Sequence, residues 1–175
     1  MRILDLITSH GVSVPAVGKR FGIKGSDAPA WLQQLGLTIP PRPNCVTHWL
    51  PQAPFGAGRC LRQGGTEFLI ELDADGTPEL PASAAFPNAW KLTRSDHSLV
   101  LSGARWPRAL GQICSFDFAR LDDEPDLVVM TLMAGIGVTF IREPVAGATS
   151  SLRLWCDASF SSYLQQCLHS LGGSR

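Results

Sequence analysis

The sequence predicts an α+β domain with mixed or antiparallel sheets and a few helices packed on one side. Three observations predict it. A strand–turn–helix unit occurs twice, around Gly25 and around Gly103. Several short apolar or alternating runs read as strands, and two of them flank Gly64-Gly65. One amphipathic helix closes the chain, with Phe160, Tyr163, Leu164, Cys167, Leu168 and Leu171 at i, i+3, i+4, i+7, i+8 and i+11.

The repeated unit is clearest from Ser98 to Phe118. Leu99, Val100 and Leu101 form an apolar run that reads as a strand, and Gly103 breaks it. Trp106, Ala109, Leu110 and Ile113 follow at the spacing of one helix face. Pro107 stands in the first turn, where a missing N–H costs little. Arg20–Leu37 repeats the pattern without a gap. Gly25, Ala28, Pro29, Trp31, Leu32 and Leu35 each lie 78 residues before Gly103, Trp106, Pro107, Ala109, Leu110 and Ile113. This points to an internal duplication, so that residues 1–175 form a single domain with two related halves, about 15–75 and 88–171. Gly25 and Gly103 are expected at turns of positive φ or close packing, where a side chain does not fit.

The elements follow in order. Residues 1–19 are weakly patterned: Leu4, Leu6 and Ile7 suit a short strand or a helix start, and Val12–Val17 reads as loop. Asp27 or Ser26 can cap the first helix, and Gly36 suits the left-handed residue that ends it. Pro40, Pro41 and Pro43 hold the next stretch extended. Val46–Leu50 is expected as a strand. Cys60–Arg62 and Glu67–Leu72 are expected as a hairpin around the glycines, its connection lengthened by Gln63. Asp73–Pro87 reads as loop, and Trp90–Thr93 as a strand. After the second unit, Leu121–Asp126 is an acidic connector. Val128–Met133 and Val138–Ile141 are two strands joined across Ala134–Gly137, or one long kinked strand. Leu152–Cys156 alternates as a half-buried strand. Asp157 or Ser159 caps the closing helix, which Gly172-Gly173 ends.

Hydrophobic residues make up 45% of the chain and charged residues 17%, enough for a core and too apolar for a disordered chain. Lys plus Arg and Asp plus Glu balance at 15 each, and no basic run breaks the balance, so nothing points to nucleic acid or an anionic membrane. The longest uncharged stretch, Leu127–Ile141, has 15 residues, short of the ~18 of a membrane span. Its composition reads as buried strand. MRILDLITSH carries Asp5 within its apolar run, unlike a signal peptide, so the expected location is the cytoplasm.

Cys45, Cys60, Cys114, Cys156 and Cys167 are odd in number and include no C-x-x-C, so no disulfide framework is expected. Cys45 and His48 have ligand-like spacing, but no second pair completes a zinc site. They read as a core thiol and a neighbour. No nucleophile elbow, phosphate loop or dinucleotide fingerprint is present. Gly56 and Gly58 form a glycine pair in a loop. Asp96-His97 reads as a polar turn before a strand rather than an acid–base pair. Asp122, Asp123, Glu124 and Asp126 lack the glycine-bearing loop of a cation site. Cys114 follows the end of a helix, whose dipole disfavours a thiolate. These residues assign no catalytic, cofactor-binding or metal site.

Taken together over residues 15–171, FGIKGSDAPAWLQQLGLTIPPRPN, EFLIEL, LVLSGARWPRALGQICSFDF, VVMTLMAGIGVTFIRE and LRLWCDASFSSYLQQCL resemble the gamma subunit of heterotetrameric sarcosine oxidase. That family lies within the wider folate-binding glycine-cleavage T-protein superfamily. The most characteristic part is the S-F-x-x-Y-L-x-x-x-L pattern of Ser159–Leu168. The resemblance implies a T-protein-like fold and a non-catalytic accessory role beside larger oxidase-type subunits. It implies FAD, FMN, NAD and tetrahydrofolate in the whole complex, and none of them on this chain. The alternative it leaves open is a stand-alone folate- or pterin-binding protein. The superfamily's glycine-rich stretch before an acidic pair is not matched: Gly64-Gly65 runs into Thr66-Glu67, and Asp122-Asp123 has no glycine-rich lead.

In Leu152–Asp157, alternation puts Leu152, Leu154 and Cys156 on one face and Arg153, Trp155 and Asp157 on the other. Trp and Arg are enriched at interface hot spots. The second face is therefore the expected docking surface for a larger subunit.

Overall fold

The computed structural model describes residues 12–15, 19–73, 85–102, 106–143 and 151–172. In chain order the elements are β1 (Val12–Ser13), β2 (Arg20–Lys24), α1 (Ala28–Gln34), β3 (Cys45–Trp49), β4 (Gly58–Arg62), β5 (Glu67–Leu72), β6 (Trp90–Thr93), β7 (His97–Ser102), α2 (Trp106–Leu110), α3 (Arg120–Asp123), β8 (Val128–Met133), β9 (Ile136–Glu143), β10 (Ser151–Cys156) and α4 (Ser161–Gly172). A 3₁₀ turn, Ala158–Phe160, leads into α4. The described residues fall into two compact units, one within 16–95 and the other made of 12–15 with those after 95.

Each unit holds one five-stranded sheet, with orders β3-β4-β5-β2-β6 and β8-β9-β10-β7-β1. The described pairings are antiparallel. One rule generates both orders. A strand leads into a helix, and a three-strand meander follows whose last strand returns to pair with the first. The place on the far side of the first strand is filled from the other half of the sequence. β1 precedes β2 but pairs with β7, Val12 opposite Leu101. β6 precedes β7 but pairs with β2, Leu92 opposite Gly22. The halves thus exchange their leading strands. Val12 and Trp90 open those strands at the same 78-residue offset as the repeated apolar positions.

This exchange shifts the expected half boundaries of 15–75 and 88–171, because β6 belongs to the sheet of the first half. It also makes a strand of Val12–Ser13, which the sequence pattern assigns to loop. The acidic connector becomes a short helix, α3, with Leu121 buried and Arg120 paired to Glu124 at 2.8 Å. β8 and β9 are two strands, not one kinked strand. Ala134 and Gly135 join them with φ of 51° and 82°, the double positive φ that matches the twist of a tight hairpin. Ile113 O accepts from Ala134 N at 2.7 Å, which ties the turn to the chain beyond α2.

The unit within 16–95 packs Ala28, Trp31 and Leu32 of α1 against Phe21, Ile23, Phe68 and Ile70 of its sheet. α1 ends as its sequence predicts: Gly36 has φ 74°, its N–H reaches Gln33 O, and Leu37 N reaches Leu32 O at 3.1 Å. This is the paired closure that satisfies the last helix carbonyls. Asp27 stands at the N-cap but makes no cap bond. Its Oδ2 accepts from Asn88 N at 3.0 Å instead, drawing the approach to β6 onto the turn before α1.

In the other unit Leu99, Leu101, Phe140, Leu152 and Leu154 face Leu110, Leu164 and Leu168. Phe116, Phe118, Phe140 and Trp106 join this core edge-to-face or stacked at centroid distances of 5.4 to 5.6 Å. On α4 Leu164 and Leu168 are buried, but Tyr163, and Phe160 just before the helix, are about half exposed. The buried stripe is narrower than the heptad-like spacing predicts. Phe160 sits in the tighter 3₁₀ turn, which rotates it off the stripe, and the Tyr163 hydroxyl donates to Ala134 O at 3.0 Å. Gly173 lies outside the described residues.

Asp157 caps the start of this element, its Oδ1 accepting from Ser159 N at 2.8 Å and from the Ser159 hydroxyl at 2.6 Å. Those bonds hold its carboxyl below the usual carboxylate range. A depressed folded pKa contributes stability above the unfolded pKa that is lost as pH falls through the folded value. Asp157→Ala is therefore expected to lower the melting temperature near neutral pH. The gap from wild type should close as the carboxyl protonates, below about pH 4. Melts across a pH series check this, and a gap that persists unchanged at pH 2 rejects it.

Candidate functional site

Gly25 occupies the turn between β2 and α1 with φ 128°. A Cβ there would fall onto the carbonyl oxygen of Asn88 and 2.9 Å from Cζ3 of Trp90. Both conditions expected of this glycine hold: positive φ and close packing. Gly103 lies outside the described residues.

The face proposed from alternation in β10 needs correction. Leu152, Leu154 and Cys156 do enter the core, and Arg153 and Trp155 do not belong to that cluster. Yet Trp155 is 1% exposed and Arg153 9%, so neither lies on an open surface. β10 is the central strand of its sheet and all six of its residues are buried. Arg153 is accommodated because its Nε donates to Glu143 Oε2 at 2.8 Å, while Nη1 lies 3.5 Å from the Ser98 hydroxyl. Asp157 is exposed, but its carboxylate serves the cap described above.

The second unit-wide charge arrangement is absent from any sequence motif. Arg20 and Arg59 sit opposite Glu71 from the strands on its two sides. Arg20 Nη2 lies 2.6 Å from Glu71 Oε2 and Arg59 Nε lies 3.6 Å from Oε1, with all three side chains at most 5% exposed. Arg59 Nη2 also pairs with Asp73. Two cations and two carboxylates balance, so the group is a structural clamp across β2, β5 and β4. Sequence offers a faint signal for it, since Arg20, Arg59 and Glu71 each adjoin the apolar run of their strand.

The candidate chemical residues stay apart. Cys45 is buried and His48 is exposed on the same strand three positions on, so they point to opposite faces. Cys60 is buried, and burial pushes its thiol up despite the nearby Arg62. Cys156 is also pushed up, first by burial and then by Asp157 and Asp96. Protonated, enclosed thiols are poor nucleophiles. Cys114 is buried as well. His97 lies opposite Cys156 in the sheet, with Gln165 Nε2 2.9 Å from its Nε2. Asp122 pairs with Arg142 at 2.7 Å. The Gly64-Gly65 turn is held by Arg62, whose Nη2 donates to Gly65 O at 2.9 Å. Glu67 pairs with Lys24 at 3.2 Å. Among the described residues no three His, Cys, Asp or Glu side chains gather as a metal-binding group, and no helix is long and apolar enough to cross a membrane.

What the sequence reading missed is an exposed aromatic edge. Trp90 is 56% exposed and Leu92 38%, on β6, the outermost strand of its sheet. In sequence Trp90-Lys91-Leu92-Thr93 looks like any alternating half-buried strand. Only the strand order reveals it as an edge.

No family model matches the sequence, and neither does any curated protein. Solved structures do match. A chain of the heterotetrameric sarcosine oxidase from Corynebacterium sp. U-96, solved in complex with pyrrole 2-carboxylate, superposes with a TM-score of 0.72 at 20% identity, covering 91% of this chain and 82% of that one. The glycine cleavage system aminomethyltransferase T from Bartonella henselae superposes with a TM-score of 0.60 at 14% identity, covering 86% of this chain and 42% of that one. The chain spans less than half of that aminomethyltransferase. Its paired five-stranded antiparallel sheets and few helices are the T-protein-like fold, as found in a chain of heterotetrameric sarcosine oxidase.

Proposed function

We propose that the protein is a non-catalytic accessory subunit, of the gamma type, in a sarcosine oxidase-like complex that oxidises N-methyl amines, where it packs on the large subunit. The observation that carries this reading is the contrast in coverage. The chain accounts for 82% of a chain from a heterotetrameric oxidase but only 42% of the aminomethyltransferase T. It corresponds to most of a chain of a heterotetrameric oxidase and to less than half of the aminomethyltransferase chain. The chemistry of its side chains supports the same reading, because burial pushes up the Cys60 and Cys156 thiols while Asp122, Glu124 and Glu67 serve in ion pairs. In this reading the complex works in the cytoplasm, and FAD, FMN, NAD and tetrahydrofolate belong to its larger subunits.

The test is purification of the chain alone and beside oxidase-type large subunits from the same genome. The expected result is a colourless protein alone, with no amine-dependent peroxide formation, and a stable assembly on co-expression. A yellow isolated chain or turnover by it alone would overturn the proposal. Saturable tetrahydrofolate binding by the isolated chain, with no assembly, would instead favour the stand-alone folate-binding alternative that the T-protein likeness keeps in view.

A further inference from the structure

The edge of β8 combines three features. First, it is an open strand edge. β8 is last in its sheet, paired to β9 on one side, and no described strand pairs with its other side. The two-residue turn sets which main-chain groups are left over. Met133 and Ile136 flank that turn and form the last pair of the ladder. In such a hairpin the flanking pair exchanges both hydrogen bonds, and so does every second pair beyond it. Val129, Thr131 and Met133 therefore bond to β9, and the N–H and C=O groups of Val128, Met130 and Leu132 point outward. A row of this kind accepts an added strand.

Second, the strand is apolar on its open face. Val129 and Met133 enter the core, which turns Met130 and Leu132 to the opposite face, where they are 48% and 63% exposed. Third, the edge is uncharged and unguarded. The chain carries no charge from Leu127 to Ile141. The other outer strands are each blunted: β6 carries Lys91, β3 lies between Pro43 and Pro51, and β1 has two residues. Lysine, proline and shortness are the usual protection of a sheet edge, and β8 has none of them.

These features select the occupant. A strand built for a charged partner carries countercharges. β8 offers none, but it is complementary to itself. Around a twofold axis through Thr131, Met130 of one copy opposes Leu132 of the other on the open face. Val129 opposes Met133, and Thr131 opposes its own copy. The outward main-chain groups of Met130 then meet those of the other copy's Leu132. Apolar side chains meet apolar ones, and no charges meet. Moving the axis by one residue of the same strand face spoils the match. On Met130 it sets Leu132 against the buried Val128, and on Leu132 it sets Met130 against the turn residue Ala134.

We propose that β8 of one copy pairs antiparallel with β8 of a second copy, with Thr131 on the twofold axis, so that the two sheets become continuous. The inference goes beyond the proposed function and does not depend on it.

The test is sedimentation of the full chain from about 10 µM to about 1 mM, where a single strand pair, a small interface, is expected to give a monomer–dimer equilibrium. Leu132→Lys should weaken dimerisation about tenfold or more, because it sets an ammonium against Met130 at both ends of the pairing. Met130→Lys with Leu132→Glu sets opposite charges against each other at both ends. That double variant should pair again, now more weakly as salt is raised. Both positions are exposed, and circular dichroism checks that each variant is folded. Thr131→Cys should give a disulfide-linked dimer under mild oxidation, because a non-hydrogen-bonded pair on the axis brings its Cα atoms to about 4.5 Å. The wild-type chain, whose cysteines are buried or half-buried, is the control and should not be linked. A monomer throughout the range, a dimer that Leu132→Lys leaves intact, or one that Thr131→Cys does not lock overturns the proposal. So does a chain that is monomeric alone and whose Leu132→Lys variant fails to join oxidase-type subunits, which would assign the edge to a different protein. A chain that dimerises through β8 yet joins no oxidase subunits keeps this inference and loses the proposed function. One that joins them and stays monomeric when alone does the reverse.

Discussion

Gly25→Val is expected to destabilise the protein by about 4 kcal/mol or more, since a strained backbone and a hard clash add together. The φ of 128° lies where L side chains are rarely found, and the Cβ itself meets the Asn88 carbonyl oxygen, a backbone atom that cannot swing aside. The bond from Gly25 N to Thr66 O at 2.9 Å and from Ala28 N to Gly25 O at 3.1 Å fix the turn from within. Because the clash begins at Cβ, Gly25→Ala should lose most of the same stability. Gly65→Ala is the control, as nothing lies within 4 Å of a Cβ there. In a protein of this size the valine variant should melt about 10 °C or more below wild type. A melting temperature within a degree or two of wild type would reject this account of the turn.

Glu71→Gln is the second large effect expected, a loss of roughly 3–5 kcal/mol, the usual result of removing one member of a buried ion group. The amide keeps the shape of the carboxylate but leaves Arg20 and Arg59 facing each other across β5 with one countercharge fewer. Asp73 offsets Arg59 in part, being itself about half exposed. Adding Arg20→Met to the variant should recover part of the loss, because it leaves Arg59 and Asp73 as a balanced pair. Denaturant titrations of the two variants decide the matter. A single variant as stable as wild type would mean the group contributes nothing net.

These residues also show how far the chain could be read without coordinates. The Gly25 turn, α1 with its Gly36 ending, the β4–β5 pair and the core side of β10 were legible because local sterics and periodicity dictate them. Trp155 was not. Alternation sorts residues by face, but whether a second face is also covered depends on neighbours far away in sequence. Arg153 looked like a surface residue because its partner, Glu143, is on another strand. β1 escaped notice for a similar reason, as a two-residue strand takes its identity from Leu101 and Val100 opposite it. Trp90 was seen as a strand residue but not as an exposed one, since an edge position is a property of strand order. The ion pairs that engage Asp122, Glu124 and Glu67 were not legible either, being tertiary or short-range contacts that charge patterning alone does not assign.

The crossed use of β1 and β6 bears on how the chain comes to be assembled during synthesis. β1 leaves the ribosome before β2–β5 but has no role in the sheet they make, and must wait until β7 has emerged. Pairings between such distant segments close late, because the intervening chain must first be ordered. β6 is the reverse case: it completes the earlier sheet only once the second repeat has begun. Neither repeat, made by itself, owns all the strands of its sheet, and each carries one that it cannot use. A duplicated gene with this plan keeps its two copies together by mutual need, so that loss of either copy strands a segment of the other.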